Sequence, residues 1–204
     1  MAKQIFLLSP ARCDGQRARL LFNPDASFEM AQRIRSEAGA PLGEVFSFLS
    51  GLYFRGKLAY ARAFARRIAG TQAVWIITTD RGLLSPETPT HLDDLIAFSH
   101  VNIAAGDERY IAPLRRDVAR LEHELPARAS VVLLGSIATG KYVDTLIEAF
   151  GSRLLFPSEF VGRGDMSRGG LLLRHAREKH ELEYIPVLGA VRHGKRPPKL
   201  ERIR

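Results

Sequence analysis

Four short stretches carry residue types able to do chemistry. In the first, Pro10-Ala11-Arg12-Cys13 follows an apolar run. A thiol beside a guanidinium is a candidate low-pKa nucleophile, because nearby positive charge favours the thiolate. The same lone cysteine also fits a small buried hydrophobe. In the second, Asp80-Arg81-Gly82 follows a β-branched and aromatic run. A carboxylate in that position is a candidate general base, with a loop cap or an arginine partner as the alternative. Cys13 and Asp80 are therefore the catalytic candidates, with Arg12 and Arg81 beside them to bind an anion. No metal centre or cofactor is expected, since one cysteine and widely spaced histidines supply no ligand set.

The third stretch, Gly135-Ser136-Ile137-Ala138-Thr139-Gly140-Lys141, has the spacing of a phosphate-binding loop. That loop needs Ser or Thr next, to hold Mg²⁺, and Tyr142 stands there instead. The spacing therefore predicts no ATP or GTP hydrolysis. It leaves an anion site at a helix start or an ordinary strand–turn–helix loop. Ser136, Lys141 and Tyr142 are the binding candidates, Tyr142 as a stacking face for a base. The fourth stretch is Arg163-Gly164-Asp165-Met166-Ser167-Arg168-Gly169-Gly170. It places Asp165 or Ser167 at a helix N-cap, with glycines that let a ligand approach the backbone. Arg163, Ser167 and Arg168 are read as anion- or base-binding. This segment is expected to close over the rim formed by residues 9–13 and 136–142.

The elements that must position these residues follow from periodicity. Apolar runs at 5–8, 73–79 and 130–134 predict buried strands, with further strands at 153–156 and 183–187. Helices are predicted over 26–38, 52–68, 107–124, 142–150 and 167–179. Strands alternating with helices predict an α/β domain. Its sheet is expected to be largely parallel or mixed, with helices on both faces. Residues 1–190 are read as that single domain and 191–204 as a basic C-terminal arm. In such a sheet the ligand crevice lies beyond the strand carboxyl ends. The loops at 9–15, 79–87 and 135–141 should then converge on one rim.

Charge points to a partner. Lys and Arg number 30 against 22 Asp and Glu, a net +8. Residues 45–79 contain no acid, yet hold Arg55, Lys57, Arg62 and Arg66. These four, with the arm, are read as a track for the phosphates of a nucleic acid, DNA above all. The lone cysteine and the lack of a signal-like N-terminus fit a reducing cytoplasm. No window approaches the ~20 apolar residues of a membrane span.

In order along the chain, several motifs resemble the YaaA-like family. They are Ser9-Pro10-Ala11-Arg12, Gly82-Leu83-Leu84-Ser85-Pro86, Ser136 to Tyr142, and Arg163-Gly164-Asp165-Met166-Ser167-Arg168. The segment from Leu52-Tyr53-Phe54-Arg55 to Tyr60-Ala61 is similar to that of related bacterial and phage proteins. The resemblance implies DNA binding linked to peroxide stress. It also implies a link to DNA-modification systems that install deazaguanine bases, with their proteins as partners. Hydrolase- or lyase-type chemistry on a modified base is the activity it implies. The residues alone leave two alternatives open: a small-molecule nucleobase or nucleotide enzyme, and a non-catalytic interaction subunit.

Overall fold

The computed structural model describes residues 3–66, 70, 72–103, 106–195, 197–198 and 200. The apolar run at the start forms β1 (Gln4–Leu8), in which every residue is buried. Two short helices follow, α1 (Gln16–Phe22) and α2 (Glu29–Arg33), then the two-residue strand β2 (Ala40–Pro41). Helices α3 (Leu42–Ser50) and α4 (Leu52–Phe64) come next, then β3 (Val74–Ile77), β4 (Leu83–Leu84) and β5 (Pro89–Thr90). Helices α5 (Leu92–Ser99) and α6 (Glu108–Glu124) lead to β6 (Ser130–Leu134) and α7 (Gly140–Phe150). The chain ends in β7 (Leu154–Pro157), α8 (Asp165–Glu178) and β8 (Tyr184–Pro186).

Six strands form one mixed sheet in the order β4-β3-β1-β6-β7-β8, while β2 and β5 pair separately. The inner four are parallel. The two edge strands run antiparallel. The fold is thus α/β with the mixed sheet that the alternating pattern predicts. Inner strands read as continuous apolar runs because both their faces are covered. The chain steps from β1 to β3 in one direction and from β6 to β7 in the other. Right-handed crossovers then put α4 and α7 on opposite faces. Helix α8 packs on α4, and α6 packs on α7.

Local differences from the sequence reading have local causes. The helix expected over 26–38 shrinks to Glu29–Arg33, since turns follow and Gly39 takes φ 66°. Helices α1, α3 and α5 are additions to the sequence reading; each is short, α3 packs on β2 and β5, and α1 packs on α3 and α5. Helix α8 begins at Asp165, with Gly164 as N-cap and no side chain capping it. Neither Asp165 nor Ser167 is the N-cap. The arm does not extend away from the domain over its described residues. Arg192 lies 3.5 Å from Asp144, and the Pro198 carbonyl accepts from Arg163. Leu200 packs against the core. Arg196, Lys199 and residues 201–204 of the arm lie outside the described residues.

Candidate active site

Strand order reverses between β1 and β6, so the rim above their carboxyl ends is the switch point where α/β sheets hold ligands. A cleft of about 620 Å³ opens on that rim. Residues after three strands line it: Arg12 and Cys13 after β1, Thr79 after β3, and Lys141 after β6. The outer wall is the segment after α5, including His100 and Asn102. The three loops read from sequence as one rim do converge. A second hollow shares His100 and Val101 with the cleft and is bordered by Asp80.

Behind the cleft lies a buried polar cluster. Lys57, on α4, is 1% exposed. Its Nζ donates to the Ser9 carbonyl at 2.6 Å and lies 2.9 Å from Ser9 Oγ. The ammonium also sits 4.6 Å from the centres of the Tyr53 and Phe54 rings. Burial pulls the lysine down to about 7; Asp165 opposes that shift and Arg168 adds to it. The Tyr142 hydroxyl donates to the Ser136 carbonyl at 2.9 Å. Gly135 makes room for this meeting, since a Cβ there would lie 2.8 Å from both Ser9 Cβ and the Tyr142 hydroxyl. Tyr53 and Tyr110 hydroxyls are sealed from solvent without a hydrogen bond of normal geometry. Burial raises both phenols, and the Tyr53 ring lies within reach of the Arg168 charge.

The candidate nucleophile Cys13 lines the cleft, yet it is 4% exposed and its Sγ faces the Ala11 carbonyl at 3.4 Å. Burial, with Asp14 and Asp80 nearby, pushes the thiol up to about 12. Burial above all, and then the two carboxylates, work against a thiolate at Cys13. Arg12 turns outward and pairs with Asp14 at 2.6 Å. Asp80 keeps one carboxylate oxygen sealed and without a hydrogen bond, 4.0 Å from Arg81 Nε. Burial raises its carboxyl, as a general base requires. Arg81 is held by Asp94 at 2.6 Å and lies over the Phe98 ring.

The expected phosphate track does not form as a stripe. Lys57 points into the core, Arg62 pairs with Glu87 at 2.6 Å, and Arg66 pairs with Glu181 at 2.5 Å. Of the four, Arg55 is exposed and makes no ion pair among the described residues. Tyr142 is 5% exposed, so it offers no stacking face. Ser136 is half-buried, with its carbonyl and hydroxyl engaged inside the loop. Lys141 is exposed on the cleft wall.

The late segment divides. Arg168 packs its guanidinium against the Phe160 carbonyl at 3.0 Å and lies 3.6 Å from Asp165, close enough to bias Lys57, Tyr53 and Tyr142. Arg163 turns to Glu159, Ser167 and the Pro198 carbonyl instead. So Arg168 joins the cluster behind the cleft, while Arg163, which also reaches Ser167, holds the returning arm. The sequence reading quotes Ser9 and Tyr53 only within motifs, gives neither a role at the site, and places Lys57 on the surface. A signal existed: Lys57 stands three and four residues from Phe54, Tyr53 and Ala61, on the apolar face of α4.

Among the described residues no group of His, Cys, Asp and Glu is arranged to hold a metal ion, and no helix is long and apolar enough to cross a membrane. Comparison with family models, curated proteins and solved structures finds no match to this chain.

Proposed function

We propose that this protein takes a nucleotide unit of DNA into the switch-point cleft, in the manner of the YaaA-like group, and processes its base there. The observation that carries the reading is the convergence of three strand-end loops on one cleft with Arg12 and Lys141 on its walls. A volume of about 620 Å³ suits one base with its sugar. Lys141 stands in the first turn of α7, where free backbone amides favour a phosphate. Asp80 borders the adjoining hollow with a raised carboxyl, suited to move a proton on the base.

A second reading has its own support: the ligand is a free nucleotide. Ion pairs at Arg62 and Arg66 and the burial of Lys57 engage three of the four cations of the expected phosphate track. Titration with labelled single- and double-stranded oligonucleotides and with mononucleotides separates the two. Under the leading reading, oligonucleotides bind at least tenfold tighter than mononucleotides, and Lys141→Ala weakens both about tenfold. Equal affinities favour the free nucleotide. Binding of neither class, or binding untouched by Lys141→Ala, overturns the cleft reading.

A further inference from the structure

We propose that Ser9 and Lys57 form a nucleophile–base dyad that opens an ester or amide carbonyl of a ligand held in the cleft. This deepens the cleft reading and rests on it for where the substrate lies. Lys57 has no carboxylate within salt-bridge distance among the described residues. A buried ammonium without a counter-ion is costly, so the neutral amine becomes accessible near neutral pH although the Tyr53 and Phe54 rings favour the charged form. The carbonyl of Ser9 takes one amine hydrogen at 2.6 Å and fixes the nitrogen. The lone pair is then left for the Ser9 hydroxyl at 2.9 Å, because a hydroxyl rotates to donate as readily as it accepts. The charged and titratable groups around the amine are Asp165 and Arg168 from α8 and Tyr53 from its own helix. Burial lowering the amine to about 7 agrees with this geometry.

Ser9 is 7% exposed and is next to the cleft lining rather than part of it. Pro10, the residue after Ser9, and Lys141, the residue before Tyr142, both line the cleft. Tyr142 Oη stands beside Ser9 Oγ over Gly135, so a second hydroxyl adjoins the one that approaches the amine.

The step balances within the site. Ser9 Oγ bonds to the acyl carbon as its proton passes to Lys57 Nζ. The tetrahedral adduct collapses, the bond to the leaving oxygen or nitrogen breaks, and that atom takes the proton from Lys57. Water then attacks the acyl-serine and gives its proton to Lys57. The carboxylic acid departs, and the proton returns to Ser9 Oγ.

A fluorophosphonate probe tests this without knowledge of the substrate. Oγ attacks phosphorus, fluoride leaves and Lys57 takes the proton. Intact mass and peptide mapping should show one adduct, on Ser9, forming faster as pH rises through 7. Lys57→Met should slow it at least about 100-fold while the circular-dichroism spectrum stays native. Ser9→Ala, which keeps the carbonyl contact, should abolish it. If Lys57→Met fails to fold, the pH profile of the wild-type adduct decides. No adduct on Ser9 in folded wild type, an unchanged rate in folded Lys57→Met, or a flat pH profile overturns the dyad. Nucleotide binding without a Ser9 adduct sinks the dyad alone. A Ser9 adduct that no nucleotide or oligonucleotide slows sinks the nucleotide reading and leaves the dyad standing.

Discussion

Gly56 of α4 and Gly169 of α8 meet backbone to backbone: a Cβ on Gly56 would lie 2.6 Å from the Gly169 carbonyl oxygen, and one on Gly169 would lie 2.7 Å from Tyr53 Cα. This crossing brings the Arg168 guanidinium near Tyr53 and Lys57, so it builds the cluster behind the cleft as well as the fold. Backbone cannot yield as a flexible side chain can. Gly169→Ala should therefore push the helices apart and cost about 2–3 kcal/mol, the upper part of the range for overpacking. Urea unfolding measures it. An unchanged midpoint would show that the helices are not in contact at this point.

Lys57 ties stability to pH. Its folded value lies near 7 against an ordinary 10.5, so the unfolded chain binds more protons between these limits. Stability from this group therefore rises with pH from about 7 to 10.5, and below 7 the burial cost is present in full. The difference in unfolding free energy between wild type and Lys57→Met should shift in favour of wild type over that window, by several kcal/mol at most. Using the difference cancels the tyrosines, which titrate alike in both proteins. A difference that is flat with pH would mean the lysine keeps its charge when folded.

How much of this was legible in sequence depends on the element. Strands β1, β3 and β6 could be read because a strand buried on both faces is a continuous apolar run, as in Ile5-Phe6-Leu7-Leu8. Once they were placed, the rim and its three loops followed from topology. Lys57 was misread because residue type was weighed above position. Its charge suggested surface, whereas its place on the face of Tyr53, Phe54 and Ala61 pointed inward. Arg62 and Arg66 have their partners, Glu87 and Glu181, far along the chain. An acid-free window in sequence therefore says little about free charge in space. Ser9 enters the sequence reading only through the Ser9-Pro10-Ala11-Arg12 motif and the rim, because a serine before a proline gives no sign of a reactive hydroxyl until α4 brings a lysine to it.

Cys13 should be inert in the native state. Its thiol, raised to about 12, is protonated at every physiological pH, and only 4% of the residue is exposed. Iodoacetamide at pH 8 should modify the folded protein at least about 100-fold more slowly than the urea-unfolded chain, since the thiolate is the reactive form. Cys13→Ser should leave any turnover intact. Alkylation of the native protein at the unfolded rate would restore Cys13 as a nucleophile.

Asp80 should trade stability for chemistry. Burial raises its carboxyl, one oxygen is sealed without a hydrogen bond, and Arg81 at 4.0 Å is turned toward Asp94. The ionised form therefore opposes folding above the ordinary carboxylate range, where the unfolded chain has given up this proton. Asp80→Asn removes the charge while keeping the shape. It should raise stability at pH 7 by about 1 kcal/mol, the scale of a poorly satisfied buried polar group. The gain should fade as the pH drops below the ordinary carboxylate range, where wild-type Asp80 is protonated in both states. The same substitution removes the base beside the cleft, so nucleotide-directed turnover should fall by about 100-fold or more. Denaturation at pH 7 and at pH 3.5, paired with an activity assay, checks both halves. A stability gain with lost turnover marks a carboxylate kept under strain for catalysis. A stability loss at pH 7 would show that Asp80 is an anchored structural partner of Arg81, and the base would have to be sought elsewhere on the rim.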